Sequence, residues 1–270
     1  MPIYVPNAVD IKKGDTGEEV TVLQSYLQKF GFIQQDNEEN IRQFGLKVDQ
    51  EKAISKPTRG EFDEKTEKAL LNFQTYYKLP ADGTLNKRTV MLMTLPRCGV
   101  PDLGEGLEKF VATGRKWQKK EITYQFIKYT SDLDQAAVKR EIRSAFDQWS
   151  SVSPLTFTEL DRAADIKIKF ARGNHGENYA FDGLSGVLAH AYYPQTGMDG
   201  VVCFDEDELW TSDNPASGTD LQTVAIHELG HTLGLDHSTV RQAIMFAYYG
   251  GVSRSLFQDD VDGIEHIYKT

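Results

Sequence analysis

Two cysteines, Cys98 and Cys203, are all that this chain of 270 residues carries, which excludes a disulfide framework as the source of its stability. No apolar run approaches the length of a membrane span. The opening segment, Met1-Pro2-Ile3-Tyr4-Val5-Pro6, has neither the charged start nor the apolar centre of a signal peptide, so export by that route has no mark here. No Asn-x-Ser/Thr acceptor occurs either, and glycosylation gives no clue to the compartment. Positive charge is in deficit: 30 Lys and Arg stand against 40 Asp and Glu, a net charge of −10, and a nucleic-acid partner is excluded on that ground. What remains is a mixed composition with 40% hydrophobic residues, enough for two modest units with cores of their own.

The most informative stretch is His227-Glu228-Leu229-Gly230-His231-Thr232-Leu233-Gly234-Leu235-Asp236-His237. On a helix, His227 and His231 lie about one turn apart on the same face, where both imidazoles reach a single ion and Glu228 stands beside them with its carboxylate free. Gly234 breaks the helix by taking the left-handed conformation that ends it, and the chain turns back to deliver His237 as a third ligand. Three protein ligands leave one position open. That is the arrangement of a catalytic zinc, as distinct from a closed structural one.

The motif continues into Ser238 and is followed by Met245 within Ala243-Ile244-Met245-Phe246-Ala247-Tyr248-Tyr249. In this extended form it resembles the metzincin clan and, within it, the matrixins or matrix metalloproteinases. The resemblance implies a zinc endopeptidase in which Glu228 is the general base, Met245 forms a structural turn beneath the metal, and extended protein substrates are cut internally. It also implies an α/β (α+β) catalytic domain with a twisted, mostly parallel sheet and three helices. Ile122–Ile127, Thr156–Leu160, Asp165–Phe170, Gly186–Tyr193 and Gly200–Asp205 are the candidate strands. Gln135–Ser151, the zinc helix with a capping box at Thr219-Asp220-Leu221-Gln222, and Asp259–Tyr268 are the candidate helices.

Upstream, Val20, Leu23, Leu27 and Phe30 recur at helical spacing, as do Thr66, Ala69, Leu70 and Phe73, and a third helix is predicted over Thr89–Leu95. The polar stretch Gln34–Gly60 between the first two reads as an exposed loop open to proteolysis. With Gly14, Gly31, the Leu23-Gln24 and Phe73-Gln74 pairs and Asp82-Gly83-Thr84, this pattern resembles the three-helix peptidoglycan-binding-like domain whose fold matrixin propeptides share. The predicted organisation is a propeptide over 1–95, a switch segment and linker over 96–108, and a catalytic domain over 109–270 with no hemopexin-like domain after it. The joint, Leu95-Pro96-Arg97-Cys98-Gly99-Val100-Pro101-Asp102, matches the family's cysteine switch. A thiolate is a strong zinc ligand, so Cys98 on a proline-stiffened segment can take the open position and silence the site, with Arg97 paired to Asp102 as the resemblance implies. The bland alternatives are a lone interdomain cysteine or a Cys98–Cys203 disulfide.

The same resemblance implies further metal sites. His175, Glu177, His190 and Cys203 fall at the family's structural zinc, with glutamate and cysteine in place of the usual aspartate and third histidine. Cysteine is itself a good zinc ligand, although Cys203 as a small buried hydrophobe is the alternative. Asp182, Asp205 and Glu208, with carbonyls of the loop through Gly183, Ser185 and Val187, fall at a calcium site, whose oxygen-rich chemistry suits them. Substrate is expected along the edge strand at Leu188 and Ala189, with Thr223, Ala247, Tyr248 and Tyr249 shaping the specificity pocket. Protein or peptide substrates, an activating protease and proteinaceous inhibitors are the partners so implied, for a monomer working extracellularly or in a cell wall or matrix. An N-terminal unit that binds cell-wall glycan and targets the protease is the rival reading.

Overall fold

A computed structural model describes residues 5–33, 56–103, 115–177, 180–212 and 218–268. Most of the loop expected over Gln34–Gly60 and the end of the linker expected over 96–108 lie outside them.

Among the described residues, three helices precede the first strand: α1 (Glu18–Lys29), α2 (Glu64–Tyr76) and α3 (Lys87–Met93). Their apolar faces meet in one core containing Val20, Leu23, Leu27, Phe30, Ala69, Leu70, Phe73 and Leu85. Two buried glutamines explain the paired motifs seen in the sequence. Gln24 donates to the Thr58 and Glu61 carbonyls and to Thr66 Oγ1, each at 2.9 Å. Gln74 does the same one helix later, donating to the Thr84 carbonyl at 2.9 Å and to Thr89 Oγ1 at 3.1 Å. Each glutamine thus pins the turn before the next helix, and Asp63 and Asn86 cap those helices by accepting from the Thr66 and Thr89 amides.

The second unit is built on a six-stranded sheet of order β1-β5-β6-β4-β2-β3, from β1 (Arg97–Cys98), β2 (Glu121–Lys128), β3 (Thr156–Glu159), β4 (Ile166–Ala171), β5 (Val187–Ala191) and β6 (Val201–Asp205). All neighbours pair parallel except β5 with β6, as expected of a mostly parallel sheet. Strand β4 shows the logic of the core: Ile166, Ile168 and Phe170 are buried and Lys167 points outward, the period of two of a strand with one apolar face. That face meets α4 (Gln135–Ser150), whose Val138, Ile142, Ala145, Phe146 and Trp149 join the same core. Trp149 Nε1 donates to the Ile226 carbonyl at 2.9 Å and ties α4 to α5 (Leu221–Thr232), the helix bearing His227 and His231. A short pair, β7 (Trp210–Thr211) with β8 (Thr219–Asp220), leads into α5, and α6 (Gln258–Tyr268) closes the unit.

Two details differ from the sequence expectation. The capping box does not form at Thr219: Asp220 is the N-cap and accepts from the Thr223 amide at 2.9 Å, because Thr219 is drawn into pairing with β7 and its amide bonds the Leu209 carbonyl. The switch segment, expected only to be extended, joins the sheet as its edge strand.

The end of α5 is as the glycine requires. Gly234 has φ +103°, and a Cβ there would run into the Arg115 carbonyl oxygen. Gly234→Ala therefore meets both backbone strain and a clash, and should lower stability by about 2 kcal/mol or more, measured as a shift of the denaturant midpoint.

Candidate active site

Helix α5 and the turn at Gly234 bring three imidazoles to one point. His231 Nε2 lies 3.2 Å from His227 Nε2 and 3.2 Å from His237 Nε2. Each ring is oriented by its other nitrogen: the Nδ1–H groups of His227 and His231 donate to the Ile244 and Leu235 carbonyls, both at 2.7 Å, and His237 Nδ1–H donates to Asp102 Oδ1 at 3.0 Å. The Nε2 atoms are therefore the bare acceptors of neutral rings. Burial pushes all three imidazoles below their ordinary range, His227 to about 3, so they do not escape by protonation. Three lone pairs facing one another without a proton between them need a cation, and three nitrogens fit zinc.

Cys98 completes the cluster. Its Sγ lies 3.5 Å from His231 Nε2, and the four ligand atoms of Cys98, His227, His231 and His237 all lie within 4.8 Å of one another. Both cysteines are free, so the disulfide alternative is overturned. The thiol is held by the strand it sits on: Arg97 N donates to the Gly186 carbonyl at 2.7 Å, Gly99 N to the Ala189 carbonyl at 2.8 Å, and Cys98 N to the Ala247 carbonyl on the other side at 2.9 Å. The segment is thus threaded between β5 and residues 246–249. Arg97 forks onto Asp102 at 2.5 and 3.1 Å, both residues about 2% exposed, while its guanidinium lies 3.4 Å from the Phe30 ring centroid and 4.7 Å from that of Tyr248.

Glu228 is fully buried beside the Cys98 thiol; burial pushes its pKa up to about 8, against a lowering by the hydrogen bond from that thiol. Met245 is buried against α5. A Cβ on Gly230 would strike Met245 Sδ and come within 2.9 Å of Trp149, so the missing side chain there is what lets methionine pack against the helix. Asp260 holds this turn by accepting from the Ile244 and Met245 amides at 2.8 and 3.0 Å.

Beside the cluster lies a cavity of about 430 Å³ lined in part by Leu188, Thr223, His227, Glu228, Ala247, Tyr248 and Tyr249, with Leu92 and Leu95 of the N-terminal unit also on its wall. Ala189 lies off this wall, but its carbonyl receives Gly99 N. Tyr248, expected to face substrate, bonds Tyr26 Oη at 2.8 Å and accepts from Arg97 at 3.2 Å.

His175, Glu177, His190 and Cys203 form the second group whose ligand atoms lie within 4.8 Å, and these two groups are the ones that converge so among the described residues. Glu177 Oε2 bonds His190 Nε2 at 2.8 Å and lies 3.3 Å from His175 Nε2, while Oε1 pairs with Lys169. These three partners, against the effect of its burial, hold Glu177 far below the usual carboxylate range. Burial and the Glu177 charge push the Cys203 thiol up. The acidic residues are arranged differently. Asp182 Oδ1 accepts from the Val187 amide at 3.0 Å, and Glu208 takes the Ser185 amide. Asp205 and Glu208 are both pushed up to about 7, first by burial and then by neighbouring carboxylates including Asp182. Gly183 lies in the same loop in a left-handed turn, φ +88°.

Sequence reasoning missed four long-range contacts around the site. Asp102 reaches His237, Lys169 reaches Glu177, and Phe30 and Tyr26 of the first helix reach Arg97 and Tyr248. None of these contacts had a local signal: Lys169 falls on the polar face of an alternating strand, where a lysine is ordinary.

Comparison with known proteins agrees with this geometry. Residues 116–269 match the matrixin family model, and residues 16–93 match a putative peptidoglycan binding domain. Stromelysin-1 of Mus musculus is 41% identical over 261 residues, covering 95% of this chain and 50% of its own. Matrix metalloproteinase-18 of Xenopus laevis is 43% identical over 211 residues, 77% of this chain and 44% of its own. Interstitial collagenase of Oryctolagus cuniculus is 40% identical over 257 residues, 93% and 50% respectively. The chain thus spans about half the length of these relatives. The family implies catalytic and structural zinc together with calcium. With the family model matched across more than half of its length and the three histidines gathered as that family needs them, the chain belongs to the matrixins.

Proposed function

We propose that this chain is the latent form of a zinc endopeptidase, silenced by Cys98 and hydrolysing internal bonds of extended protein or peptide substrates. The observation that carries the reading is the position of the Cys98 thiol, 3.5 Å from His231 Nε2 among three converging imidazoles. His227, His231 and His237 would hold the zinc, which when bound supplies Lewis-acid polarisation of the scissile carbonyl and a more acidic water. Glu228 is the general base and then acid: its apolar burial lifts it to about 8, which suits a group that must take a proton and give it back near neutrality. Met245 shapes the floor.

The backbone groups of β5 that would bind a substrate as an added strand are bonded here to Arg97 and Gly99 of the chain's own switch. Latency in this reading has two parts, a thiol at the metal and a strand in the substrate's place. Once the strand leaves, Leu188 and Ala189 align the substrate, and Thr223, Ala247, Tyr248 and Tyr249 shape the pocket for one side chain. The boundaries proposed are a propeptide over 1–95, a switch and linker over 96–108, and a catalytic domain over 109–270. Tyr26, Phe30 and Tyr76 of the N-terminal unit are spent on contacts with Tyr248, Arg97 and His237, which supports an inhibitory role over a glycan-binding one. An activating protease, proteinaceous inhibitors and an extracellular setting belong to the same proposal.

His175, Glu177, His190 and Cys203 are proposed to hold the structural zinc, Cys203 as thiolate. Asp182, Asp205 and Glu208, with carbonyls at Gly183, Ser185 and Val187, are proposed for calcium.

Three measurements check this. The full chain should cleave a quenched peptide slowly; Cys98→Ser or a mercurial should raise the rate at least about tenfold, and Glu228→Ala in the Cys98→Ser background should retain zinc yet lose at least about a hundredfold. Equal rates for the full chain and Cys98→Ser would remove the switch.

Elemental analysis should find two zinc ions per chain, and Cys203→Ala should leave one and lower the thermal midpoint.

Asp205 and Glu208, raised to about 7 in the fold, contribute stability that is full below their unfolded values near ~4 and is lost as pH rises through about 7. Added calcium should therefore raise the thermal midpoint more at pH 8 than at pH 5. In Asp205→Asn/Glu208→Gln the calcium effect should vanish at both.

A further inference from the structure

The three imidazoles at the metal centre are not oriented from the same source. His227 and His231 each direct Nδ1–H to a carbonyl of the catalytic unit, at Ile244 and Leu235. His237 directs its own to Asp102 Oδ1 at 3.0 Å, a residue 135 positions earlier on the switch segment, and its main-chain carbonyl accepts from Tyr76 Oη of α2 at 3.3 Å. Both contacts leave with the N-terminal unit.

We propose that Asp102 is a positioning residue for the metal centre: the switch segment contributes the hydrogen-bond acceptor that orients the third histidine, as well as the thiol that blocks the site. A neutral imidazole carries one N–H, and the acceptor that receives it decides which nitrogen is left to bind a metal and where the ring points. With Nδ1–H fixed on Asp102, His237 presents Nε2 at 3.2 Å from His231 Nε2. Asp102 in turn cannot move. Its Oδ1 is shared by His237 and Arg97, its Oδ2 takes the second arm of the Arg97 fork, its amide donates to the Phe30 carbonyl at 3.0 Å, and the guanidinium lies between the Phe30 and Tyr248 rings. A continuous set of contacts thus runs from the core of the N-terminal unit to one metal ligand. The thiol and the carboxylate act in opposite senses, since Cys98 excludes chemistry while Asp102 supports the site on which chemistry depends. Displacing the thiol alone leaves Asp102 in place; removing the whole segment takes away both. The latent chain is therefore the form in which the third ligand is best held, and metal retention should weaken on full processing for a reason separate from the lost thiol.

This inference rests on the zinc reading of the three histidines. Its test uses the full chain with Cys98→Ser, so that the thiol's own hold on the ion is absent. Zinc retention at this site, assigned by its loss in His231→Ala, is measured against a competing chelator for the parent, for Asp102→Asn and for Arg97→Lys. An amide at position 102 has no charge and one accepting oxygen, so its NH2 must face a donor, either Arg97 Nη1 or His237 Nδ1–H; Asp102→Asn should therefore lower the affinity ten- to hundredfold, the usual effect of weakening such a partner. Arg97→Lys keeps the carboxylate and a cation beside it and should change affinity less than about threefold. In the imidazole proton spectrum of the zinc-loaded chain, Asp102→Asn should shift the His237 Nδ1–H resonance and leave those of His227 and His231 in place, a pattern that general loosening of the segment does not produce. Unchanged affinity in Asp102→Asn, or equal losses in both variants, would overturn the proposal. A parent chain that binds no zinc at this site would overturn the zinc reading, and this inference with it.

Discussion

The buried pair of Arg97 and Asp102 is the interaction on which the arrangement of this molecule turns. Taking a guanidinium and a carboxylate out of water is costly, and a pair of that kind persists only where geometry and further hydrogen bonds compensate. Here the fork is bidentate, Arg97 Nε also donates to the Cys98 carbonyl at 3.0 Å, two aromatic rings flank the cation, and Asp102 serves His237. The pair fixes the loop 97–102 so tightly that the thiol between its two ends has one place to go. Removing either partner would leave the other charged and buried, so the segment is held as a unit and is released as a unit.

Around that segment the two cores are joined through aromatic contacts. Tyr77 packs edge-on against Phe246 and Tyr248, and Tyr26 meets Tyr248 through their hydroxyls. The residues that would wall a specificity pocket in the active form thus serve as the docking face in this one. A single surface cannot do both at once, so under the proposed function the docked and substrate-bound states would exclude each other without any hinge inside the catalytic unit.

The centre and its surroundings also carry electrostatic conflicts that cations resolve. Three neutral imidazoles share a point with no donor among them, Glu228 is a carboxyl buried beside the Cys98 thiol, and Asp205 and Glu208 stand high in pKa beside further carboxylates. In an ordinary core such groups would be replaced by apolar ones. Their presence together suits the ion sites proposed for them.

Much of this was legible in the chain itself. The spacing of His227, His231 and His237 around Gly234 is local, because a helix turn and one left-handed residue suffice to bring the three together, and the strands and helices of the catalytic unit follow from period-two and helical patterns that burial enforces. The switch motif lies within six residues as well, and the pairing of Arg97 with Asp102 was implied by its resemblance to the family motif. What the sequence could not give are contacts whose partners are far apart: Asp102 with His237, Lys169 with Glu177, Phe30 with Arg97, and Asp220 rather than Thr219 as the cap of α5, a choice made by pairing with β7. Local periodicity and motif spacing determined which ligands exist and on which elements they sit. Only the packing of one unit on the other decided that the switch becomes the edge strand of the sheet and that its carboxylate completes the surroundings of a histidine, because those contacts arise from surfaces that meet only after each unit has folded.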